Sequence, residues 1–541
     1  MIEPFRGTLF RIFACFVIAA GLLVCVGAGG PFVYDDLHSI VDNHHLTIEN
    51  IPRFFWDPSC FSGDPGKAMY RPLLLVSYVL NLGQPAATYR LLNLLLHSLN
   101  AVLVVALAYS LGLRRRYAVL AGALFLLHPA GVQPVLYVSA RSDTLHATFF
   151  LLALYLWRER GNHWTTLVCT GAALLTKETA MILPAAFWAM DHLILRTYKH
   201  GFRHPQWHFD LLKRVLPSVA VVAGYVLLQT LLGTTGHTLD HAPRPALAQL
   251  STQMEALWFY AKALVNPVGY VVEPAFAELE APSATGLFAW AGLLALTLLL
   301  GRLQSPIPLI CLTLAVLSLA VVMVFPLNIL VNYRRLYLPA AFYGVFIAWL
   351  TQAAAPHLNK WRGIAVYGSI AAILGQYAWI SHAQAATWAS SYALWQENVR
   401  LHPTAPRPML YWGIACRAKA TQSTDLEAQR HWSEAAYAFY TVTTLTKEDE
   451  TLHWRGMNNL GSVFFELGNL DSAEECFKQA YSHDPRDPDY LTSMGNIKWM
   501  RGLPGPAKDF YLRALEIDPR HPTAQENLHR VTQEELDRVS R

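Results

Sequence analysis

Hydrophobic positions in this chain follow two regimes. From residue 1 to about 385 they run in long apolar blocks with thin polar breaks, and from about 390 to 541 they recur among ordinary polar residues. Eleven blocks read as membrane spans: 9–28, 89–111, 117–136, 143–157, 163–176, 179–195, 213–232, 285–301, 306–326, 335–352 and 361–380. The first is about 20 residues long, the helix length that crosses a bilayer core. Another apolar stretch, 256–272, carries Lys262 and Pro267 and is followed by Glu273, so it reads as an interfacial or re-entrant helix. Arg6, Arg11 and the small residues Val26-Gly27-Ala28-Gly29-Gly30 give the start of the chain some features of a signal peptide. The full bilayer length of the run, with more spans behind it, favours an uncleaved first span. The expected architecture is all-α: a polytopic membrane helix bundle over 1–385, then a soluble helical domain over 386–541.

Lys and Arg in the short loops set the expected orientation. With the N-terminus inside, the inner side receives Arg6, Arg114-Arg115-Arg116, Arg158, Arg160, Arg196, Lys199, Arg203, Lys213, Arg214, Arg302, Lys360 and Arg362. The outer side holds single cations or one pair: Arg53, Lys67, Arg71, Arg141, Lys177 and Arg334-Arg335. The loop 30–88 and the C-terminal domain then both lie on the non-cytoplasmic side.

Composition agrees with this division. The chain is 53% hydrophobic and 15% charged, against about 25% charged in soluble proteins. A net charge of +4, spread along the chain, gives no footprint for nucleic acid. The seven cysteines show neither CxxC pairs nor metal-ligand spacing, and an odd count gives no disulfide framework.

A 34-residue period marks the C-terminal domain. Leu460, Gly461, Phe464, Gly468, Ala473, Phe477, Ala480 and Pro485 are answered by Met494, Gly495, Gly502, Ala507, Tyr511, Ala514 and Pro519. This is tetratricopeptide spacing: small residues at close helix contacts, aromatics between them, and proline closing the second helix. Lys498 departs from the usual aromatic. A degenerate helical pair is expected at 406–445 and a capping helix at 522–540. Such arrays bind peptides or proteins, or serve as scaffolds, more often than they catalyse.

Polar groups gather at the outer ends of the spans. Asp35 and Asp36 follow the first span directly, where carboxylates are costly unless used; a helix cap or turn is the bland alternative. Tyr70-Arg71-Pro72-Leu73 lies in the same loop. Arg90, Asn93, His97 and Asn100 recur at three- and four-residue steps on the second span and so share a face, which interhelical hydrogen bonding alone would explain. His128-Pro129 falls near the end of the third span and Ser139-Ala140-Arg141-Ser142-Asp143 opens the fourth. Thr176-Lys177-Glu178 separates the fifth from the sixth, and Asn332-Tyr333-Arg334-Arg335-Leu336-Tyr337-Leu338-Pro339 opens the tenth. Arg141, Lys177, Arg334 and Arg335 are the cations available to hold a phosphate. Adjacent like charges at 334–335 repel unless an anion is present.

These motifs, in this order, resemble those of the transmembrane and tetratricopeptide-repeat protein O-mannosyltransferases and their bacterial relatives, members of the C-type glycosyltransferase superfamily. Gln133 stands where that family often has glutamate after the His-Pro pair, and Tyr333 stands where an acid tends to precede the arginine. The compact length and two clear repeats favour a bacterial member in the inner membrane, with the 30–88 loop and the repeats facing the periplasm. The resemblance implies a polyprenyl-phosphate-linked sugar donor, mannose by type, and Ser/Thr hydroxyls of envelope or secreted proteins as acceptors, the repeats presenting the acceptor. It implies Asp35 as general base with Asp36 as its neighbour, the like charge raising one pKa of the pair. Arg141, Lys177, Arg334 and Arg335 would bind the donor phosphate; Arg71, His97, His128, Asp143 and Glu178 would shape the site. No metal is required unless the donor is a diphosphate, when Asp35 and Asp36 could ligate Mg2+ or Mn2+. A transferase acting on lipid A or an envelope polysaccharide, or a non-enzymatic membrane-anchored scaffold, are the competing readings.

Overall fold

The computed structural model describes residues 3–159, 163–196, 205–234, 245–325, 329–447 and 451–539. These residues form helices and loops with no strand among them. They divide into two compact units, Met1–Ser390 and Ser391–Arg541.

The first unit contains α1 (Glu3–Ala28), α2 (Pro72–Val79), α3 (Ala86–Ser110), α4 (Arg115–Leu127), α5 (Val132–Leu136), α6 (Arg141–Arg158) and α7 (His163–Leu174). It continues with α8 (Leu183–Arg196), α9 (Pro205–Leu231), α10 (Ala246–Val265), α11 (Ala284–Gly301), α12 (Ile307–Val324), α13 (Tyr337–Ala354) and α14 (Lys360–Thr387). Every expected span coincides with a helix. Seven helices among the described residues are long and apolar enough to cross a membrane, and eight if α4 and the segment to Leu136, bent by 58° at His128-Pro129, count as one. The unit is built as a multi-pass membrane protein. Three expected spans differ: α6 carries Arg141, Asp143 and Arg158, while α7 and α8 have only 12 and 14 residues. At 1.5 Å per residue, helices of that length reach about 20 Å, short of a bilayer core of about 30 Å. α6 packs on α3 and α7, and α7 and α8 pack on α9. The 256–272 stretch is the end of α10 and the loop after it, and α10 is not among the span-capable helices.

The polar face of α3 is buried and explains much of the packing. Arg90, Asn93, His97 and Asn100 are each at most 3% exposed. Arg90 Nη1 donates to Ala28 O at 3.0 Å and to Gly30 O, Nη2 to Pro31 O at 2.6 Å, and Nε to Leu136 O at 2.7 Å. The end of α1 has carbonyls without helical partners, and Arg90 supplies them while tying that end to α5. Asn100 Nδ2 donates to Thr144 O at 2.9 Å and to the Tyr337 hydroxyl at 3.1 Å, joining α3, α6 and α13.

The second unit opens with α15 (Ser391–Leu401). Three helix pairs follow: α16 (Pro406–Ala420) with α17 (Asp425–Leu445), α18 (Thr451–Glu466) with α19 (Leu470–His483), and α20 (Pro488–Met500) with α21 (Pro504–Ile517). α22 (Pro522–Val539) packs on α21. Asp487 starts α20 by accepting from the Asp489 and Tyr490 amides at 2.8 and 3.3 Å, with proline at the first helical position. One contact repeats through all three pairs: Gly413 lies against the Phe439 ring, Gly461 against Phe477, and Gly495 against Tyr511. The 406–445 pair is therefore built on the same close contact as the two clear repeats.

Candidate functional site

The loop after α1 turns sharply at Tyr34, which has φ +56°, a left-handed conformation that few non-glycine residues adopt. The Tyr34 hydroxyl hydrogen-bonds Glu273 from the loop after α10. This turn sends the two aspartates in different directions. Asp36 is fully buried; its Oδ2 accepts from the Val33 amide at 3.1 Å and its Oδ1 from the Ser139 amide at 2.7 Å. Asp35 keeps 31% of its side chain exposed and is fixed by its backbone N–H, which donates to the Tyr137 hydroxyl at 3.1 Å. His38 Nε2 donates to Asp35 Oδ1 at 3.2 Å.

The pKa pattern differs from the expected one. Burial pushes Asp36 up to about 6, against the two backbone amides that favour its charge. Burial also acts upward on Asp35, but the His38 hydrogen bond, the Arg334 charge and the Tyr137 hydroxyl outweigh it and hold Asp35 below the ordinary aspartate value. The raised member is thus the enclosed one, and desolvation rather than the like charge raises it.

The four expected phosphate cations part company. Arg141 is 0% exposed; Nε donates to Asn93 Oδ1 at 2.8 Å, Nη1 to Ser77 O at 2.6 Å and Nη2 to Tyr89 O at 3.0 Å, and the guanidinium lies over the Tyr78 and Tyr89 rings. It is a buried tie between α2, α3 and α6. Arg335 donates to Leu330 O and Ile329 O, each at 2.8 Å, and to the Tyr260 hydroxyl at 3.2 Å, clasping the approach to α13. Neither is placed as expected, because backbone carbonyls from loops and helix ends have taken their donors. Lys177 pairs with Asp143. Arg334 lies 5.4 Å from the centre of the Tyr137 ring, attracted by Asp143 and Asp35, and among the described residues its guanidinium donates no hydrogen bond. It is the cation with its fork open to an anion.

Around these, Arg71 grips Glu178 through Nη2 at 2.9 and 3.0 Å and Nε at 3.2 Å. Burial acts upward on Glu178, but Arg71 and Lys177 hold it below the usual glutamate value. Asp143 Oδ2 is buried without a hydrogen-bond partner, so the Lys177 pair has one acceptor in reserve. His97 and His128 are buried in the bundle. His97 Nδ1 accepts from the Tyr337 hydroxyl at 2.7 Å while Nε2 donates to Leu126 O at 3.1 Å. His128 Nδ1 accepts from the Ala130 amide and Nε2 donates to Leu264 O at 3.0 Å, pinning the bend after α4 to the end of α10. Gln133 donates to Val271 O at 2.6 Å, and Tyr333 stacks on Tyr270 at 4.2 Å.

One end of the bundle thus gathers Asp35, Arg334, Lys177-Asp143 and Arg71-Glu178 from the ends of five helices. Tyr137, His38, Ser62 and Glu273 complete it, and none had a sequence signal of its own; only Tyr137's place between His128-Pro129 and Ser139 could have drawn attention to it. Among the described residues no group of three or more His, Cys, Asp or Glu side chains is arranged to hold a metal ion. Asp36, with both oxygens on backbone amides, is not presented as a ligand.

Comparison with known proteins adds partial similarities. Residues 454–487 match the tetratricopeptide repeat. The chain is 35% identical over 165 residues to the Drosophila melanogaster protein O-mannosyl-transferase Tmtc1, covering 28% of this chain and 19% of that one. Identity to Drosophila Tmtc2 is 36% over 193 residues, 31% of this chain and 20% of that one. Human TMTC4 is 32% identical over 160 residues, 25% of this chain and 22% of that one. The chain spans about a fifth of the length of these curated relatives. Among solved structures, a thermophilic TPR protein of Thermus thermophilus is similar at 16% identity and a TM-score of 0.24, covering 36% of this chain and 91% of that one. By sequence, the chain is similar, over about a third of its length or less, to proteins named protein O-mannosyl-transferases.

Proposed function

We propose that this chain is an integral membrane glycosyltransferase that moves a sugar, mannose by relatedness, from a polyprenyl-phosphate carrier to Ser/Thr hydroxyls of envelope or secreted proteins. The observation that carries the reading is the attraction between two groups with capacity to spare: the partly exposed Asp35 carboxylate and the Arg334 guanidinium, which makes no hydrogen bond among the described residues. Asp35 takes the proton of the acceptor hydroxyl as its oxygen bonds to the sugar's anomeric carbon. The bond from that carbon to the phosphate oxygen breaks, and Arg334, with Lys177 behind it, holds the charge left on the polyprenyl phosphate. Arg71-Glu178 and Lys177-Asp143 keep these cations in place. We place the site on the non-cytoplasmic face, in a bacterial inner membrane, with the repeats offering the acceptor. A monophosphate donor already meets Arg334 and Lys177, so no divalent metal is required in this scheme.

The test is transfer by the full-length protein in lipid nanodiscs, from radiolabelled polyprenyl-phosphate mannose to a Ser/Thr-rich peptide. Asp35→Asn is expected to lower the rate by about 10²-fold or more, and a chelator to leave the wild-type rate unchanged. Label recovered in envelope lipid rather than peptide would transfer the reading to glycan acceptors. Full activity of Asp35→Asn would end it.

A further inference from the structure

The ring of His38 bridges Asp35 to a pair of hydroxyls. Nε2 donates to Asp35 Oδ1 at 3.2 Å, while Nδ1 lies 2.9 Å from Ser62 Oγ and 3.1 Å from Ser39 Oγ. Ser62 is itself held: its Oγ accepts from the Asp64 amide at 2.9 Å, and the Gly63 amide donates to His38 O at 2.8 Å. The 58–67 loop is thereby fastened to the segment carrying Asp35. With Nε2 donating to a carboxylate, a neutral His38 must accept at Nδ1, and either serine hydroxyl can turn its proton there. When His38 is protonated, Nδ1 donates instead and a hydroxyl accepts. Serine serves both states, so the ring can change charge without losing a partner.

We propose that His38 is a positioning residue for Asp35, and that its protonation turns Asp35 from a working base into a weakened one. The proposal rests on the reading of Asp35 as the base. A neutral imidazole orients the carboxylate through one hydrogen bond. An imidazolium at the same 3.2 Å adds a full positive charge beside it, which stabilises the carboxylate against taking the acceptor's proton. The other groups around the pair are accounted for. Arg334 and the adjacent Tyr137 hydroxyl also act on Asp35; Asp36 is turned onto the Val33 and Ser139 amides; Asp64 pairs at 3.9 Å with Lys67.

The experiment measures kcat and KM of the full-length protein in nanodiscs between about pH 5 and pH 8, the range in which histidine titrates, with polyprenyl-phosphate mannose and a Ser/Thr peptide. Wild type is expected to lose kcat on the acid side. His38→Gln keeps an N–H for Asp35 but cannot be protonated, so its acid limb is expected to move down by at least about one pH unit, with a moderate fall in kcat and KM unchanged. His38→Ala loses the donor as well and is expected to lose kcat by about tenfold or more. Melting temperature separates that loss from misfolding, and the Gln variant carries the test if the Ala variant does not fold. An acid limb in His38→Gln that coincides with wild type would overturn the proposal while Asp35→Asn remains inactive. Activity retained by Asp35→Asn would instead overturn the base assignment beneath it.

Discussion

Asp36 puts both carboxylate oxygens on backbone amides, while Asp35, one residue earlier, keeps its own for the site. The two should therefore fail differently when replaced. Asp36→Asn retains one acceptor but sets an N–H against a backbone N–H, so it should cost about 1–3 kcal/mol of stability. The cost should also depend on pH. The folded-state pKa of Asp36, about 6, lies above its ordinary value of 3.8, so the fold favours the protonated form. The stability from that preference is complete below pH 4 and is lost as pH rises through 6. Thermal unfolding in nanodiscs should show the gap between wild type and Asp36→Asn largest below pH 4 and narrowed by about 2–3 kcal/mol at pH 7; a constant gap would show that Asp36 does not titrate as described. Arg141→Lys should cost about 2–3 kcal/mol, since one ammonium cannot reach Asn93, Ser77 O and Tyr89 O at once; equal melting temperatures would contradict that. These divisions of labour were not legible in the sequence. Asp-Asp and Arg-Arg pairs announce chemistry at an interface, but which member faces the site depends on where distant carbonyls and amides lie. Type and place in the sequence point to Arg141 and Arg335 as phosphate ligands; Ser77, Tyr89, Ile329 and Leu330 offer acceptors that no local pattern reveals.

Helices were far more legible than their junctions. The apolar blocks gave the long helices of the bundle, because an uninterrupted apolar run has few alternatives, although α9 begins at Pro205 and α14 runs to Thr387, well beyond the expected ends, and α2 had no block of its own. The polar stripe of α3 was legible as a shared face, but not as the cap for the end of α1. Its partner in that junction is glycine. A Cβ on Gly30 would stand 1.9 Å from Trp388 O, and one on Gly27 would stand 2.1 Å from Ala385 O. Backbone carbonyls cannot swing aside as side chains do, so α1 and α14 can meet here only through glycine. Gly30→Ala should shift the loop leading to Asp35 and lower both melting temperature and transfer rate, whereas Gly29→Ala, where a Cβ meets nothing within 4 Å, should do neither. Similar losses in both variants would refute the close approach as the cause. The same small-residue logic explains the C-terminal unit. The period of 34 revealed two repeats, while the 406–445 pair was faint because α17 extends to 21 residues and breaks the register. The contact of Gly413 with Phe439 preserves the packing that the spacing had lost.

At the scale of the whole membrane unit, the site is also a record of topology. Asp35 after α1, Tyr137 after α5, Asp143 at the start of α6, Lys177 after α7 and Arg334 before α13 are linked by contact or by charge, so those helix ends share one side. The last helix of this unit ends there too: the Trp388 ring lies 5.7 Å from that of Tyr137, tilted by 36°, and its carbonyl lies beside Gly30. The opposite end joins the start of α4 to the end of α13, where the Arg114 amide donates to Gln352 Oε1 at 2.6 Å, and to the start of α14, where the Tyr117 and Tyr367 hydroxyls are 3.3 Å apart. That end carries Arg114-Arg115-Arg116, Lys360 and Arg362, the cluster that the positive-inside tendency assigns to the cytoplasm. These pairings fix which ends lie together however many of the shorter helices α6, α7 and α8 cross the full bilayer, because the contacts and not the span count decide it. In a cysteine-free background, Asp64→Cys and Ala389→Cys should react together with a membrane-impermeant maleimide added to the non-cytoplasmic side, and His357→Cys only after the membrane is opened. Labelling of position 389 with 357 rather than with 64 would break the common side of α1 and α14. Labelling of 357 alone in sealed vesicles would keep the bundle but reverse its orientation, and with it the side on which donor and acceptor must meet.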